Sequence, residues 1–254
     1  MPAAVKTIGI GAGADPDKVI EDACHSRVPF SIFCYMQPGA AKVPAGHTHV
    51  RIRESNAPET ALVSDLMSGA IDAAVRGTLP ANATLKALKA ATGVDRLERI
   101  ALLETAAGKK FFFAPVGIDE GWTVAEKLSL IQKGRDLARR FGLPEKAGVL
   151  SGGRLGDVGR HAQVDRSIAD AELVARLSGA VHCEILIEDA VESCGLIIAP
   201  DGISGNLVFR TLTFLGAGFA HGAPVVNIDK IFVDTSRASP DFANALLLAA
   251  SLLE

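Results

Sequence analysis

Residues 195–206 read Gly195-Leu196-Ile197-Ile198-Ala199-Pro200-Asp201-Gly202-Ile203-Ser204-Gly205-Asn206. The apolar run Gly195–Ala199 reads as a strand that ends in Pro200-Asp201-Gly202. A helix over Ser204–Leu215 follows at once. Toward the N-terminus the same rhythm recurs. Strands are expected at Val5–Ile10, Phe30–Tyr35, Ala70–Val75, Lys110–Val116 and Gly148–Leu150. Helices are expected at Asp17–Cys24, Glu59–Ser68, Ala81–Ala91, Thr123–Phe141 and Asp170–Leu177, with Thr123 and Glu126 as a capping box. Toward the C-terminus, Pro224–Asp229 is read as extended and Asp241–Leu253 as a last helix. Regular alternation with continuous apolar strands predicts an α/β fold: a parallel sheet with helices on both faces. The segments 36–58 and 151–167 are left as long loops, a length often tied to function.

Composition narrows the function classes. The chain has 254 residues, 48% hydrophobic and 22% charged, which is globular usage. A chain of this length buries roughly 70–75% of its unfolded surface, enough for one large domain or two lobes. Aromatic residues are 5%, so the core is expected to be aliphatic. The net charge of −3 comes with no basic stripe interleaved with aromatics, which argues against nucleic acid. No apolar run approaches the ~20 residues of a membrane span. Met1–Lys6 lacks a signal-peptide pattern, and a cytoplasmic protein is expected.

Several motifs invite chemistry and are read as structure. Gly9-Ile10-Gly11-Ala12-Gly13-Ala14 has the dinucleotide spacing after a strand. The second strand, however, runs into Tyr35-Met36-Gln37-Pro38 without the acidic residue that would hold a ribose, so a tight strand–helix turn is expected. No other glycine motif suits S-adenosylmethionine. His47 and His49 form an HxH pair with no third ligand at metal spacing, so no metal site is expected. His182 beside Cys183 is read as structural. Cys24, Cys34, Cys183 and Cys194 form no CxxC and are read as buried free thiols. There is no GxSxG, P-loop or HExxH.

Three segments carry more weight, with a fourth behind them. In Asp201-Gly202-Ile203-Ser204-Gly205-Asn206, the glycines allow close backbone approach and the helix start presents free N–H groups to an anion. Asp201, Ser204, Gly205 and Asn206 are candidate ligands, and a plain helix cap is the competing reading. In Asp234-Thr235-Ser236-Arg237, a hydroxyl and a guanidinium fork can hold a phosphate. Asp241 downstream can serve as general base, though Ser239-Pro240-Asp241 reads equally as a helix start. In Ser151–Arg160, three residues of ten are charged and four are glycine. Gly152, Gly153, Arg154, Asp157 and Arg160 suit an anion, with a flexible exposed loop as the alternative. The fourth candidate is Arg76-Gly77-Thr78 at a strand end, where open parallel sheets bind ligands.

The residues carry a resemblance. Ala199–Asn206 resembles the D-x-x-[TS]-G-N segment of phosphotransacetylases and the D-G-x-x-G-N segment of the fatty-acid phosphate acyltransferase PlsX. Asp234-Thr235-Ser236-Arg237 is similar to the D-L-S-R motif near the phosphotransacetylase C-terminus. Asp72-Ala73-Ala74-Val75-Arg76-Gly77 resembles D-G-x-V-S-G, with Ala73 and Arg76 departing from it. Nearly the whole chain resembles the MtxX family, also called methanogenesis marker protein 4, whose members carry a methyltransferase label. The most specific stretches are Phe113–Gly121, Ser151–Arg160 with Val164–Ser167, Ala199–Asn206 and Asn227–Arg237.

The resemblance implies a two-lobed, three-layer α/β/α fold of the isocitrate/isopropylmalate dehydrogenase type. It implies a first lobe of residues 1–108 completed by 234–254, a second lobe of 109–233, and a ligand cleft between. It implies a group transferase acting on a phosphorylated, acyl-phosphate or acyl-coenzyme A substrate, linked to tetrahydromethanopterin one-carbon metabolism. Methyl transfer and a non-catalytic accessory role are the alternatives. Ser236 and Arg237 would work at the phosphate or acyl end. Asp241 would deprotonate the thiol, although its spacing from Arg237 is shorter than the family's. No covalent cofactor is implied. Coenzyme A or phosphate is the expected ligand, S-adenosylmethionine stands behind them, and a homodimer is expected.

Overall fold

The computed structural model describes residues 6–237 and 239–254. In chain order the elements are β1 (Thr7–Gly11), α1 (Pro16–His25), β2 (Ser31–Met36), β3 (Val50–Glu54), α2 (Pro58–Ser68), β4 (Ala73–Val75) and α3 (Ala81–Thr92). Then come β5 (Ala101–Glu104), β6 (Lys110–Ala114), α4 (Val124–Arg140), β7 (Ala147–Val149), α5 (Ala162–Ser178), β8 (Val181–His182), α6 (Ile187–Ser193), β9 (Leu196–Ile198) and α7 (Gly202–Phe214). The chain closes with β10 (Phe219–Pro224), β11 (Ile231–Asp234) and α8 (Ala243–Ser251). Of the expected first strand, Val5 lies outside the described residues, as do Met1–Ala4 of the segment read for a signal peptide.

The chain forms two compact units, Met1–Leu97 with His221–Glu254, and Glu98–Ala220. Both boundaries fall earlier than the expected 108/109 and 233/234. The reason is strand pairing. β5 pairs antiparallel with β6, so residues 98–108 go with the second unit. β11 pairs parallel with β4, so the return begins before 234.

In the first unit the strand order is β3-β2-β1-β4-β11-β10, parallel except for β10 against β11. α2 and α3 pack together, as do α1 and α8, and the two pairs cover the sheet. Tyr35, Leu62, Leu66, Ile71, Leu79, Leu88 and Phe232 build a buried core. The second unit has the order β5-β6-β9-β7-β8, parallel apart from β5. α4 and α5 pack together on β6, β9, β7 and β8, while α7 packs on β6. Phe111, Phe112 and Phe113 are buried together, and Phe112 meets Phe141 edge-on with centroids 5.5 Å apart.

The two sheets are therefore mixed rather than wholly parallel. Three further departures have local causes. β3 lies within the expected loop 36–58, where Val-Arg-Ile-Arg-Glu alternates but its charges hide the strand. It is the outer strand next to β2, and charge at an edge discourages further pairing. α5 begins eight residues before the expected Asp170, because its N-cap is His161, whose ring accepts the Gln163 N–H. α4 keeps half of its expected box. Thr123 accepts the Glu126 N–H, but the Glu126 carboxylate takes the N–H of Trp122. Among the described residues no helix is long and apolar enough to cross a membrane.

Candidate functional site

In the first unit β1, β4 and β11 run parallel side by side, so their C-terminal ends lie together. The turn after β4 carries Arg76-Gly77-Thr78. The Arg76 Nε makes an ion pair with Asp234 Oδ1, and its Nη1 donates to the Leu79 carbonyl at 2.8 Å. Arg76 is 4% exposed. Its guanidinium holds the fold, which corrects the expectation that Arg76 itself binds phosphate. The same carboxylate oxygen of Asp234 accepts the Thr235 N–H at 2.9 Å, and the Thr235 hydroxyl donates to the Gly77 carbonyl at 2.9 Å.

Gly77 sits at φ 59°, and a Cβ there would lie 2.0 Å from the Gly11 carbonyl oxygen. Thr78 Oγ1 accepts the Gly13 N–H at 2.9 Å. Gly77 and Thr78 thus lock the turn after β4 to the turn after β1, which absorbs the polar groups expected to meet a ligand. The Gly9–Gly13 turn is closed in the same way. A Cβ on Gly11 would meet the Leu79 side chain at 2.2 Å and the Arg76 carbonyl at 2.4 Å. Those glycines serve packing, as expected.

This scaffold carries Ser236, which is half-buried, and Arg237, which is exposed. Asp241 is spent differently from the expected base. Its Oδ1 accepts the Ala243 N–H at 2.7 Å and its Oδ2 the Asn244 side-chain amide at 3.4 Å, so it folds the chain into α8 from one residue ahead of the N-cap, Phe242. The helix-start reading of Ser239-Pro240-Asp241 fits the geometry.

The second unit holds the other two candidate segments. The turn after β7 is ordered by its own side chains. Gly152 N–H goes to Ser167 Oγ, Arg154 N–H to Asp157 Oδ2, Leu155 N–H to Glu184 Oε1 and Gly159 N–H to Asp165 Oδ1, each at 2.8 Å. The Arg154 N–H and then the Arg160 guanidinium hold the Asp157 carboxyl below its usual range. Asp157 and Arg160 are therefore partners of each other and of the turn, which is held by its own side chains rather than being the flexible loop of the alternative reading. Gly153 is buried, whereas Gly152 and Arg154 are exposed.

Ser151 begins this turn. Its Oγ lies 2.7 Å from His182 Nε2 and donates to the Gly153 carbonyl at 2.8 Å, and His182 Nδ1 lies 2.6 Å from Glu172 Oε1. Serine, histidine and carboxylate in this order is the arrangement of an activated nucleophile. At 1% exposure, however, the serine is enclosed, and the relay fixes the Gly152-Gly153 turn to β8 and α5. Glu172 has no partner in the sequence pattern, so the relay was invisible before folding.

The turn before α7 is a reciprocal cap. Asp201 Oδ1 accepts the Ser204 N–H at 2.8 Å, and Ser204 Oγ accepts the Asp201 N–H at 3.2 Å. A Cβ on Gly202 would lie 2.0 Å from the Gly117 carbonyl oxygen, and one on Gly205 2.0 Å from that of Pro115. The Asn206 amide donates to the Val116 carbonyl at 3.0 Å. Gly205 and Asn206 thus dock α7 on the segment after β6, and the competing cap reading accounts for Asp201 and Ser204. That segment is itself braced by Glu120, whose Oε1 accepts from Arg99 Nε at 2.6 Å. Burial pushes the Glu120 carboxyl up, and Arg99 offsets this only in part.

Among the described residues no group of three or more His, Cys, Asp or Glu side chains is placed to hold a metal. Cys24, Cys34 and Cys194 are buried free thiols, and Cys183 is half-buried. Burial pushes the Cys34 thiol up to about 12 and the Cys183 thiol up to about 11, which keeps both protonated and unreactive.

No protein-family model matches the chain. Curated proteins do. The chain is 50% identical over 244 residues to the "Putative methyltransferase mtx subunit X" of Methanosarcina acetivorans, covering 94% of this chain and 87% of that one. It is 49% identical over 210 residues to the protein of the same name from Methanosarcina barkeri, covering 81% and 78%. The chain belongs to the mtx subunit X family. A more distant relative, "Uncharacterized methyltransferase MK0941" of Methanopyrus kandleri, is 41% identical over 77% of this chain and 80% of its own length.

Solved structures extend the family's fold. A branched-chain phosphotransacylase from Enterococcus faecalis superposes with a TM-score of 0.72 at 16% identity, covering 98% of this chain and 100% of that one. A phosphotransacetylase from Streptococcus pyogenes gives 0.68 at 17% identity, covering 99% and 95%. The 4-hydroxythreonine-4-phosphate dehydrogenase of Klebsiella pneumoniae gives 0.62 at 13% identity, covering 98% and 100%. The chain therefore has the α/β fold shared by these phosphotransacylases and the 4-hydroxythreonine-4-phosphate dehydrogenase.

Proposed function

We propose that this member of the mtx subunit X family is a group transferase acting on a phosphorylated or acyl-phosphate small molecule, with coenzyme A or phosphate as the second reactant. One observation carries the reading. The Asp234–Arg76 ion pair anchors Thr235-Ser236-Arg237 at the ends of three parallel strands and leaves the Arg237 guanidinium in solvent. A guanidinium fork on a fixed backbone suits a phosphoryl oxygen, and fixed donors that meet developing charge give catalysis its largest contribution. Ser236 orients the group from beside it. Arg154 is a further exposed guanidinium in the second unit. Arg76 acts through Asp234, and Asp241 acts through α8, so neither is given a role on the substrate. The proton of the thiol goes to solvent or to a group of the substrate.

The reading includes a link to tetrahydromethanopterin one-carbon metabolism and a homodimer, and involves neither nucleic acid nor membrane. Methyl transfer is a second reading, favoured by the names of relatives about half identical to this chain. The Gly9–Gly13 turn is filled by Leu79, Leu62 and Ile71, so it offers S-adenosylmethionine no glycine cradle.

The test follows thiol release from acetyl-coenzyme A in the presence of phosphate. Arg237→Ala is expected to lower turnover by at least about tenfold while the Tm holds, since an exposed arginine that loses only a charge-stabilising role leaves the fold intact. Equal turnover in that variant contradicts the site. Methyl transfer from S-adenosylmethionine without thiol release favours the second reading.

A further inference from the structure

α7 departs from the usual pattern of a helix on a sheet. Its buried residues are two glycines, Gly202 and Gly205, which press its backbone onto the segment after β6. The large apolar side chains face elsewhere. Ile203, Leu207, Arg210 and Phe214 stand at i, i+4, i+7 and i+11, so they form one stripe on the side away from the glycines. Within the thirteen residues of α7 the only charge is that of Arg210, and its guanidinium lies 5.2 Å from the centroid of the Phe214 ring.

The apolar surface continues past both ends of the helix. A Cβ on Gly202 would meet the Gly117 and Glu120 carbonyls, so the start of α7 lies against the segment that carries Ile118 and Trp122. The Trp122 ring is fixed there by its N–H, which donates to the Ile118 carbonyl at 2.9 Å. At the far end Leu215 and Phe219 flank a turn closed by the Gly216 and Gly218 N–H groups on the Thr211 and Leu212 carbonyls. Ile118, Trp122, Ile203, Leu207, Leu215 and Phe219 are between 49% and 84% exposed.

At these exposures the six side chains present on the order of 600 Å² of apolar surface, at the top of what the largest patch on a monomer reaches. A standard interface takes about 800 Å² from each partner, and in homodimers about 65% of that is apolar, or about 500 Å². The α7 face therefore supplies the apolar share of half a dimer. We propose that α7 and its flanks are the face on which a second copy of this chain docks, with the two α7 helices antiparallel about a twofold axis. This gives a surface to the homodimer of the reading above, and rests on that part of it alone.

Two features select a second copy over an unlike partner. The stripe is complementary to itself. Reversed about the point midway between Val208 and Phe209, Ile203 meets Phe214, and Leu207 meets the aliphatic stem of Arg210. The helix also holds no carboxylate, and its one guanidinium is engaged by Phe214, so α7 has no charge pattern to recognise a different protein.

The test is sedimentation of the intact protein, expected to give twice the 26.5 kDa of one chain. Leu207→Glu is expected to weaken the dimer at least about a hundredfold, since a symmetric interface meets the buried charge twice. Leu207 is 60% exposed in the single chain, so the far-UV circular dichroism is expected to hold. Leu215→Glu, at the most exposed of the six positions, repeats the test with the least risk to the fold. Leu173→Glu, at an exposed leucine of α5, is the control and is expected to leave the dimer intact. A wild type that stays monomeric up to its highest soluble concentration overturns the proposal together with the homodimer. A dimer that survives both Leu207→Glu and Leu215→Glu overturns the α7 face and leaves the homodimer standing. Equal weakening by Leu173→Glu shows a loss not specific to α7, and also overturns the proposal.

Discussion

Arg76→Ala is expected to lose about 3–5 kcal/mol of folding stability, because it takes the guanidinium away from the buried Asp234 carboxylate. Asp234 is 8% exposed and also accepts the neighbouring Thr235 N–H, so little water can replace the guanidinium. Leu79 also loses the donor to its carbonyl. The effect extends to the site, since Asp234 and Thr235 fix the backbone that carries Ser236 and Arg237. Guanidinium denaturation of the wild type and the variant measures the loss. The paired change Arg76→Met with Asp234→Asn removes both charges and is expected to recover part of it. A loss below about 1 kcal/mol for Arg76→Ala would place the pair with solvent-exposed ion pairs and remove the anchor from the account.

The second large effect concerns the string from which the fold was first read. Gly205→Ala is expected to cost at least about 3 kcal/mol, at the upper end for overpacking. The added methyl would lie 2.0 Å from the Pro115 carbonyl oxygen. A backbone oxygen cannot swing aside as a side-chain tip can, so α7 must lift from β6. Gly156→Ala in the turn after β7 is the matched control, since nothing lies within 4 Å of its added Cβ. If Gly205→Ala keeps its stability and loses only ligand affinity, the glycine serves a ligand and the packing explanation fails.

These two positions show what the chain disclosed before it was folded and what it withheld. Alternating apolar runs and glycine-ended helices exposed the α/β plan, because buried strands and amphipathic helices differ in period. β5 and β11 were missed. Ala-Leu-Leu-Glu and Ile-Phe-Val-Asp are four residues each, and their strand character comes from partners 6 to 12 positions away for β5 and 158 positions away, in β4, for β11. The strand-end turns were legible as special, but not in their roles. Glycine next to Asp, Ser and Asn reads alike whether the close approach is by a phosphate or by another backbone. Only the fold shows that Gly77 meets Gly11, and that Gly202 and Gly205 meet the segment after β6.

The Arg76–Asp234 pair joins residues 158 apart, and the Ser151–His182–Glu172 relay draws on three elements. No local spacing encodes either.

A thermal-shift comparison of the wild type and Arg237→Ala with phosphate, coenzyme A, acetyl-coenzyme A, S-adenosylmethionine and tetrahydromethanopterin tests the Arg237 site most directly. A ligand at 100 times its Kd stabilises by about 2.7 kcal/mol, a shift of about 5–10 °C for a chain of this size. The expected result is such a shift with phosphate or coenzyme A in the wild type and its loss in Arg237→Ala. A shift with S-adenosylmethionine or the pterin alone, or one that survives Arg237→Ala, would contradict the account.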